Sequence, residues 1–348
     1  PRPDPIPTIH HRTIRRHCHH HHSDAFRLES YALKDHLERH GWVALSPDAI
    51  PHQALGLFGP MKRYFKQAAA EKSQHKVDID VEGGGKPEEG YLSADDCGPE
   101  QFIVRLKNPN HGRAGQPELV SKAEIASAEL SAMVRTLLGA LGWAVNPSEN
   151  SMLSGDIMDH RPLLEGTTGA SVLRLTNYAT QEQDQLTLPE HVDRGLVTIV
   201  LANRPGLELF DQLSEQWVPA PTDGQGAPLP VMLVGHTLQF ATANMLKACR
   251  HRVRPDGAHV QSASGSSASA SSSSCSSSSS SSSEDGGGGG GGDGGDRQRL
   301  SVSFHVRARL DATIDQARVP PALRRVVVAR SRTVQEEMDQ FARLNGSV

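Results

Sequence analysis

The segment His191-Val192-Asp193 decides the prediction of the fold. Residues i and i+2 of a strand point to the same side, so one short segment can aim His191 and Asp193 at the same point. A third candidate, His251, lies 60 positions later in His251-Arg252-Val253 and would come from another strand of the same sheet. Two imidazoles and one carboxylate are the ligand set of a non-haem Fe(II) site, because three protein ligands leave the other coordination positions open. The pattern therefore predicts an iron site inside a β-barrel.

A second segment, Arg299-Leu300-Ser301, predicts an anion site on a third strand. The planar guanidinium of arginine matches the geometry of a carboxylate, and a serine two residues further faces the same side of a strand. Each of these segments is common by itself, so their combination and order carry the prediction. A metal centre beside a carboxylate site is typical of an oxygenase that uses 2-oxoglutarate as co-substrate.

The segments around these residues resemble the iron/2-oxoglutarate-dependent dioxygenases. The resemblance is to the isopenicillin N synthase-like branch, which includes plant hormone and flavonoid oxygenases. It covers about residues 24–310 and is strongest from residue 171 onward. The segments that carry it are His191-Val-Asp-Arg-Gly-Leu-Val-Thr198, Gly235-His-Thr-Leu-Gln239, Cys249-Arg-His-Arg-Val253, Arg299-Leu-Ser-Val-Ser-Phe304 and Leu173-Arg-Leu-Thr-Asn-Tyr178.

The resemblance implies a role for six residues and a reaction. Three residues are expected to bind Fe(II): His191, Asp193 and His251. Three more are expected to hold the distal carboxylate of 2-oxoglutarate: Arg299, Ser301 and Tyr178. No catalytic residue is expected beyond the metal centre. The expected activity is oxidation, above all hydroxylation, of a small organic molecule by O2 with release of succinate and CO2, and ascorbate is an expected reductant.

Two departures from the family pattern affect this interpretation. The family usually has Gly-Asp where this chain has Gly235-His236, and Asn-His-Gly where it has Ser46-Pro-Asp48. We expect His236 to be a turn residue before a strand, and its competition as a ligand stays open. Two other functions stay open as well: an iron oxidase on the same scaffold that does not use 2-oxoglutarate, and a non-catalytic barrel that binds a metal or an organic acid.

The spacing of apolar residues predicts an α+β fold. In the first half, a helix capped by Asp24 runs toward His40 with Gly41 at its end, and a longer helix spans Leu119 to Leu141. From residue 171 the pattern changes to short β-branched runs at 172–178, 197–201, 207–210, 231–234, 238–242 and 300–306. Many short strands after a helical half predict a double-stranded β-helix, or jelly-roll barrel, backed by helices.

The chain is predicted to have four parts. Residues 1–23 are a His-rich tail expected to be disordered, residues 24–150 the mainly helical N-terminal region, and residues 151–310 the Fe(II)/2-oxoglutarate jelly-roll domain. Residues 311–348 are expected to form a C-terminal helix whose apolar face is Leu323, Val327, Val334, Met338 and Phe341.

A low-complexity insertion interrupts the jelly-roll region. Residues 261–296 are rich in Ser and Gly and offer little apolar surface to bury, so we expect them to be disordered. In the family, one short hairpin joins the positions that correspond to His251 and Arg299. The insertion is therefore predicted to lengthen a hairpin loop.

Composition limits the partners and the compartment. A net charge of −4 gives no electrostatic case for binding nucleic acid. No apolar run approaches the about 18 residues that cross a bilayer, and there is no signal-peptide core, so no membrane partner is expected. The four cysteines show no paired spacing, which favours a reducing compartment. We expect a cytoplasmic protein, with an organellar location left open, whose partners are a small-molecule substrate and O2.

Two further arginines lie near the predicted site. Arg174 and Arg252 fall on predicted strands and could face the barrel interior. Structural pairing with neighbouring side chains is the simpler expectation for each.

Overall fold

The computed structural model describes residues 8–9, 14, 23–77, 89–93, 99–105, 118–147, 157–158, 171–178, 188–254, 298–309, 312–316, 319–320, 331–333, 336 and 339–340. The insertion at 261–296 and most of the tail at 1–23 lie outside these residues. The predictions made for the residues outside stay predictions. Within the tail, Thr8–Ile9 pair in parallel with Ala44–Leu45, and Ile9 and Ile14 are buried, so the expectation that all of residues 1–23 are disordered is wrong.

The described residues form short helices, one long helix and fifteen strands. The helices are α1 (Asp24–His40), a 3-10 turn (Pro47–Ala49), α2 (His52–Leu55), α3 (Phe58–Phe65), α4 (Ala69–Ser73), α5 (Glu118–Val145) and α6 (His236–Ala241). The first strands are β1 (Thr8–Ile9), β2 (Trp42–Leu45), β3 (Lys76–Val77), β4 (Glu89–Leu92), β5 (Glu100–Arg105), β6 (Val172–Tyr178), β7 (Leu188–Val192) and β8 (Val197–Ala202). The others are β9 (Leu207–Asp211), β10 (Gln216–Pro219), β11 (Val231–Val234), β12 (Arg250–Val253), β13 (Arg299–Val306), β14 (Thr313–Asp315) and β15 (Ser331–Thr333).

Two sheets make the barrel. The nine-stranded major sheet has the order β1-β2-β11-β8-β13-β6-β5-β4-β3, and the four-stranded minor sheet has the order β10-β9-β12-β7. Within the described residues, all the strand pairs of these sheets except β1–β2 are antiparallel. The predicted α+β jelly-roll fold is confirmed.

The major sheet separates two apolar cores because its side chains alternate between two faces. On the outer face, Leu175, Val302 and Phe304 pack in one core with the buried residues of α1 and α5. On the inner face, Trp42 and Tyr178 pack in a second core with residues of the minor sheet. The site residues project into the space between the sheets.

Helix α1 begins one residue earlier than its predicted cap. The N-cap is Ser23, whose side chain accepts a hydrogen bond from the backbone N–H of Phe26, so the assignment of Asp24 as the cap is wrong. Asp24 instead lies in the first turn, where its charge suits the helix dipole. The predicted end is confirmed: Gly41 has φ 79°, and its N–H bonds to the carbonyl of Leu37.

Helix α5 packs against the sheet in the centre of the helical layer. By length and composition it could cross a membrane, which corrects the expectation that no segment of the chain is long and apolar enough. Most of its apolar window is buried, with Leu130, Leu137 and Leu141 in the core. A buried core helix passes the same test, so this is weak evidence for a membrane span.

Three local predictions are wrong. Residues 238–242 are not a strand, because α6 occupies most of them, from His236 to Ala241. Within 311–348, the segments 313–315 and 331–333 pair as antiparallel strands, so this region is not one helix. The five residues of its predicted apolar face lie outside the described part of the chain.

The third error concerns the connection that holds the insertion. β12 pairs with β7 and β9 in the minor sheet, whereas β13 pairs with β6 and β8 in the major sheet. The connection therefore crosses from one sheet to the other and does not close a hairpin.

Candidate active site

The two histidines of the predicted triad lie directly opposite each other on neighbouring strands. His191 on β7 and His251 on β12 are register partners in the minor sheet. Opposite residues of an antiparallel pair point to the same side. Their ring centroids are accordingly 4.2 Å apart.

Backbone carbonyls fix the orientation of both rings. Nδ1 of His191 lies 2.9 Å from the carbonyl oxygen of Pro189, and Nδ1 of His251 lies 3.1 Å from that of Cys249. Because a carbonyl oxygen can only accept, Nδ1 carries the proton in each ring and Nε2 keeps its lone pair. The unprotonated Nε2 atoms face the carboxylate of Asp193. This arrangement is typical of metal-binding histidines.

Asp193 completes the cluster from the residue that follows β7. Its Oδ1 lies 3.9 Å from Nε2 of His191, and its Oδ2 lies 3.7 Å from Nε2 of His251. Burial raises the pKa of Asp193, but the His305 and His251 imidazoles and the hydroxyl of Thr198 outweigh it and hold the pKa well below its usual value. The carboxylate is therefore ionised, as a metal ligand must be.

A tight backbone crossing holds the turn after Asp193 in place. The N–H of His236 donates to the carbonyl of Asp193 at 2.7 Å, and the N–H of Gly235 donates to the carbonyl of Leu196 at 2.9 Å. A Cβ on Gly235 would lie 2.2 Å from the carbonyl oxygen of Gly195, so only glycine fits there. Because Gly235 has no side chain, the two backbone segments approach closely enough to form both hydrogen bonds.

The same contacts place His236 beside the ligand turn at the start of a helix, so the expectation of a turn residue before a strand is wrong. Among the described residues, the cluster with metal-ligand geometry consists of His191, Asp193 and His251, whose ligand atoms lie within 4.8 Å of one another. His236 is outside this cluster and begins α6. It holds the ligand turn through its backbone.

The cluster fits Fe(II). It offers two imidazole nitrogens and one ionised carboxylate oxygen, and three protein ligands leave positions for other molecules. His251 and Asp193 are buried, whereas the side chain of His191 is 37% exposed, so the cluster opens on the His191 side. A co-substrate and O2 could approach from this side.

Arg299 fits the distal carboxylate of 2-oxoglutarate. Its side chain is buried, its Nε donates to the carbonyl of Pro205 at 2.8 Å, and its guanidinium carbon lies 4.4 Å from the centre of the Tyr178 ring. Nη1 is buried and has no hydrogen-bond partner among the residues that the structure describes. A buried donor of this kind is costly unless a ligand accepts from it, and a carboxylate is the acceptor that best matches a guanidinium.

The other two predicted carboxylate ligands lie beside Arg299. Tyr178 is its register partner on β6, and the hydroxyl of Ser301 donates to Oη of Tyr178 at 3.2 Å. All three side chains are buried on the inner face of the major sheet. The structure therefore brings together the three residues that were expected to bind one anion.

Sequence reasoning missed two residues that contact the triad. The hydroxyl of Thr198 donates to Oδ2 of Asp193, and Nδ1 of His305 lies 3.4 Å from Oδ1. The position of His305 could have been predicted from the alternation of β13, because residues 299, 301, 303 and 305 share one face of the strand. The position of Thr198 near Asp193 could not have been predicted from a local pattern, since it depends on the pairing of β8 with β13.

Comparison with known proteins agrees with this geometry. Residues 169–264 match the family model described as the 2OG-Fe(II) oxygenase superfamily. The matched range contains Tyr178 and the complete His191, Asp193 and His251 cluster, and it ends before Arg299. The chain carries a 2OG-Fe(II) oxygenase domain. A comparison with curated protein sequences finds no match.

Solved structures share the fold of this oxygenase at low sequence identity. A full-length Neurospora crassa protein, solved in complex with alpha-KG and 5-formyluracil, is 15% identical over 97% of this chain and 95% of its own, with a TM-score of 0.66. The rice dioxygenase for auxin oxidation is 16% identical over 98% and 96%, with a TM-score of 0.64. JOX2, in complex with 2OG, Fe and JA, is 14% identical over 96% and 84%, with a TM-score of 0.62.

The family match and the geometry of the site confirm the expected superfamily, enzyme class and cofactors. The domain matched at residues 169–264 is a 2OG-Fe(II) oxygenase domain, whose cofactors are Fe(II) and 2-oxoglutarate, and the cluster that could hold the iron lies within it. The branch within the superfamily, the use of ascorbate and the cellular location stay predictions.

Proposed function

We propose that this oxygenase hydroxylates a small organic molecule and converts 2-oxoglutarate to succinate and CO2. In this proposal the iron ligands are His191, Asp193 and His251, and the ligands of the distal carboxylate are Arg299, Ser301 and Tyr178. The observation that carries the proposal is the buried Nη1 of Arg299, which no described residue accepts from. An oxidase that takes all its electrons from its substrate does not use this donor for a keto acid, although it can keep the motif, so the formation of succinate separates the two functions.

The protein's own residues bind, orient and shield in this proposal. The carbonyls of Pro189 and Cys249 keep both imidazoles in the tautomer that can bind iron. The ring of Tyr178 covers the Arg299 guanidinium, which strengthens its attraction for an anion by excluding water. Fe(II) with 2-oxoglutarate supplies the oxidising power, and the protein decides which molecule meets it.

The class of substrate is supported by what the similar structures hold. The Neurospora crassa protein has been solved with thymine and with 5-formyluracil, the rice protein is a dioxygenase for auxin oxidation, and JOX2 has been solved with JA. These are small organic molecules of different chemistry. Because the identities are near 15%, they support small-molecule oxidation for this chain and leave its substrate open.

The first test is an anaerobic titration of the Fe(II)-loaded protein with 2-oxoglutarate. A chelated keto acid gives a weak visible charge-transfer band, and we expect this band in the wild-type protein. Arg299→Ala should need about tenfold to hundredfold more 2-oxoglutarate for the same band, because one charge-assisted contact is lost. Arg299→Lys should lie between the two, since it keeps the charge without the fork.

Two controls make the titration decisive. Arg39→Ala changes an exposed arginine of α1 and should leave the titration unchanged. Asp193→Ala should abolish iron binding while circular dichroism stays that of the wild type. A band that never appears in iron-loaded wild-type protein would overturn the proposal in favour of the oxidase or binding-protein alternatives.

A further inference from the structure

A second cationic region lies on the inner face of the major sheet, at the end away from Arg299. Arg174 on β6 is the register partner of Ser303 on β13, as Tyr178 is of Arg299. Side chains at alternate positions share a face, so Arg174 and Tyr178 both face the barrel interior. The two positions are four residues apart, which is about 13 Å along a strand. We therefore expect the Arg174 position and the Tyr178 position to contact different chemical groups of a ligand.

Arg307 adds a second guanidinium to this region. It follows His305 by two residues, and its Cδ lies 3.5 Å from the position that a Cβ would take on Gly195, two residues after Asp193. Its side chain thus lies beside the ligand turn. Burial, together with the charges of Arg174, Arg194 and Arg105, lowers the pKa of Arg307 to about 10 despite the nearby carboxylate of Asp193.

Arg307 is free to bind a ligand. Its backbone N–H donates to Ser171, but its guanidinium has no hydrogen-bond or ion-pair partner among the residues that the structure describes. Arg174, by contrast, donates from Nη1 to the neutral amide oxygen of Gln101 at 3.0 Å. Repulsion between neighbouring guanidiniums is relieved when an anion lies between them.

Charge balance at the site indicates where that anion comes from. Asp193 and the keto-acid carboxylate of 2-oxoglutarate are assigned to the metal, and the distal carboxylate of 2-oxoglutarate is assigned to Arg299. None of these three carboxylates is then assigned to Arg307. The remaining molecule that enters this space is the substrate.

We propose that the substrate carries a carboxylate and that Arg307 binds it, with Arg174 at its side. This inference rests on the proposed function, because it assigns the anion to the substrate of the same iron site. It names a substrate class, small carboxylic acids, and a specificity-determining residue. The contact orients the substrate relative to the triad, since Arg307 packs against the turn that carries Asp193.

The test is a binding comparison that needs no turnover. The full chain, loaded anaerobically with Fe(II) and saturating 2-oxoglutarate, is titrated by calorimetry with arylacetic and aliphatic acids and with their primary amides. Saturating 2-oxoglutarate blocks Arg299, so any acid that binds must use another cation. We expect acids to bind at least about tenfold more tightly than the matching amides, since a charged contact is worth more than a neutral one.

Three variants test whether Arg307 causes the preference for acids over amides. Arg307→Gln should lower the acid-to-amide affinity ratio about tenfold or more. Arg307→Lys should restore part of it and serves as the second variant if the glutamine variant folds poorly, which thermal unfolding would reveal. Arg39→Gln, an exposed arginine of α1, is the matched control and should keep the wild-type ratio.

The outcomes separate the two proposals. Equal binding of acids and amides, no binding of any acid, or an unchanged ratio in Arg307→Gln would each overturn the carboxylate inference. A wild-type protein that gives no charge-transfer band with 2-oxoglutarate would instead overturn the proposed function. In that event the same titrations, repeated on the Fe(II) protein alone, still show whether Arg307 selects carboxylates.

Discussion

The hydroxyl of Thr198 donates a 2.5 Å hydrogen bond to Oδ2 of Asp193. The bond joins β8 of the major sheet to the turn that follows β7 of the minor sheet. His305, on β13, approaches the other carboxylate oxygen at 3.4 Å. The Asp193 carboxylate, which follows a strand of the minor sheet, is therefore oriented by side chains of the major sheet.

Replacing Thr198 should weaken metal binding. Thr198→Val keeps the volume and removes the hydrogen bond, so we expect Fe(II) affinity to fall about tenfold or more, in the range of other partners of metal ligands. Thr136→Val is the matched control, because the hydroxyl of Thr136 is exposed and bonds, among the described residues, to the carbonyl of Ala132 on its own helix. Equal Fe(II) affinity of the two variants in a competitive chelator titration would disprove this role.

The backbone crossing at Gly235 should be intolerant of a methyl group. The Cβ of Gly235→Ala would lie 2.2 Å from the carbonyl oxygen of Gly195, so the ligand turn must move. We expect a loss of stability of about 1–3 kcal/mol together with weaker metal binding. The control is Gly224→Ala, whose Cβ would meet none of the described atoms within 4 Å. Chemical unfolding and metal titration of both variants measure the difference.

The hydroxyl and the ring of Tyr178 should contribute separately to 2-oxoglutarate binding. Tyr178→Phe keeps the ring against Arg299 and removes the Oη that accepts from Ser301. Loss of one neutral hydrogen bond predicts a rise of about twofold to tenfold in the 2-oxoglutarate dissociation constant, less than for Arg299→Ala. Tyr31→Phe alters an exposed tyrosine and should have no effect. An effect of Tyr178→Phe as large as that of Arg299→Ala would contradict this division.

Glu100 should make the stability of the protein depend on acid pH. Burial raises the pKa of Glu100, but hydrogen bonds from Lys72, Tyr91 and Asn177 outweigh it and lower the pKa below its usual value. A carboxyl whose pKa is lowered in the folded state stabilises the protein above its unfolded-state pKa. This stabilisation is lost as pH falls through the folded-state value.

The Glu100→Gln variant tests that pH dependence. Urea unfolding between pH 7 and pH 3, a range chosen to bracket the ordinary glutamate pKa of about 4.3, should show a shallower decline for the variant than for the wild type. Glu71→Gln, at an exposed position, should keep the wild-type slope. Parallel curves for all three proteins would remove Glu100 from the explanation.

The sequence predicted the fold class and the residues that the structure brings together at the candidate site, but it missed several local elements. Strand alternation predicted that His191 and Asp193 point to the same side, and the order of the segments along the chain linked them to His251, Arg299 and Ser301. The cap at Ser23 and the helix at 236–241 were missed because neighbouring residues offer nearly equal local preferences. Tertiary contacts decide between them.

No local sequence pattern could predict which of the two sheets each strand joins. β12 and β13 follow each other in the chain, and consecutive strands usually pair, yet they lie in different sheets. For the same reason the contacts of Thr198 and Arg307 with the ligand turn could not be foreseen. Both depend on how the two sheets face each other.

The division of the site between two sheets has a consequence for the choice of co-substrate. His191 and His251 lie on the minor sheet and Arg299 on the major sheet, and the apolar core with Leu209 and Leu233 lies between the sheets. Facing sheets lie about 10 Å apart, and we expect this spacing to set the length of a keto acid that reaches both the iron ligands and Arg299. We expect the five-carbon diacid to fit better than its four-carbon and six-carbon homologues. Selectivity by length would then depend on the packing between the two sheets as well as on the residues that bind the co-substrate.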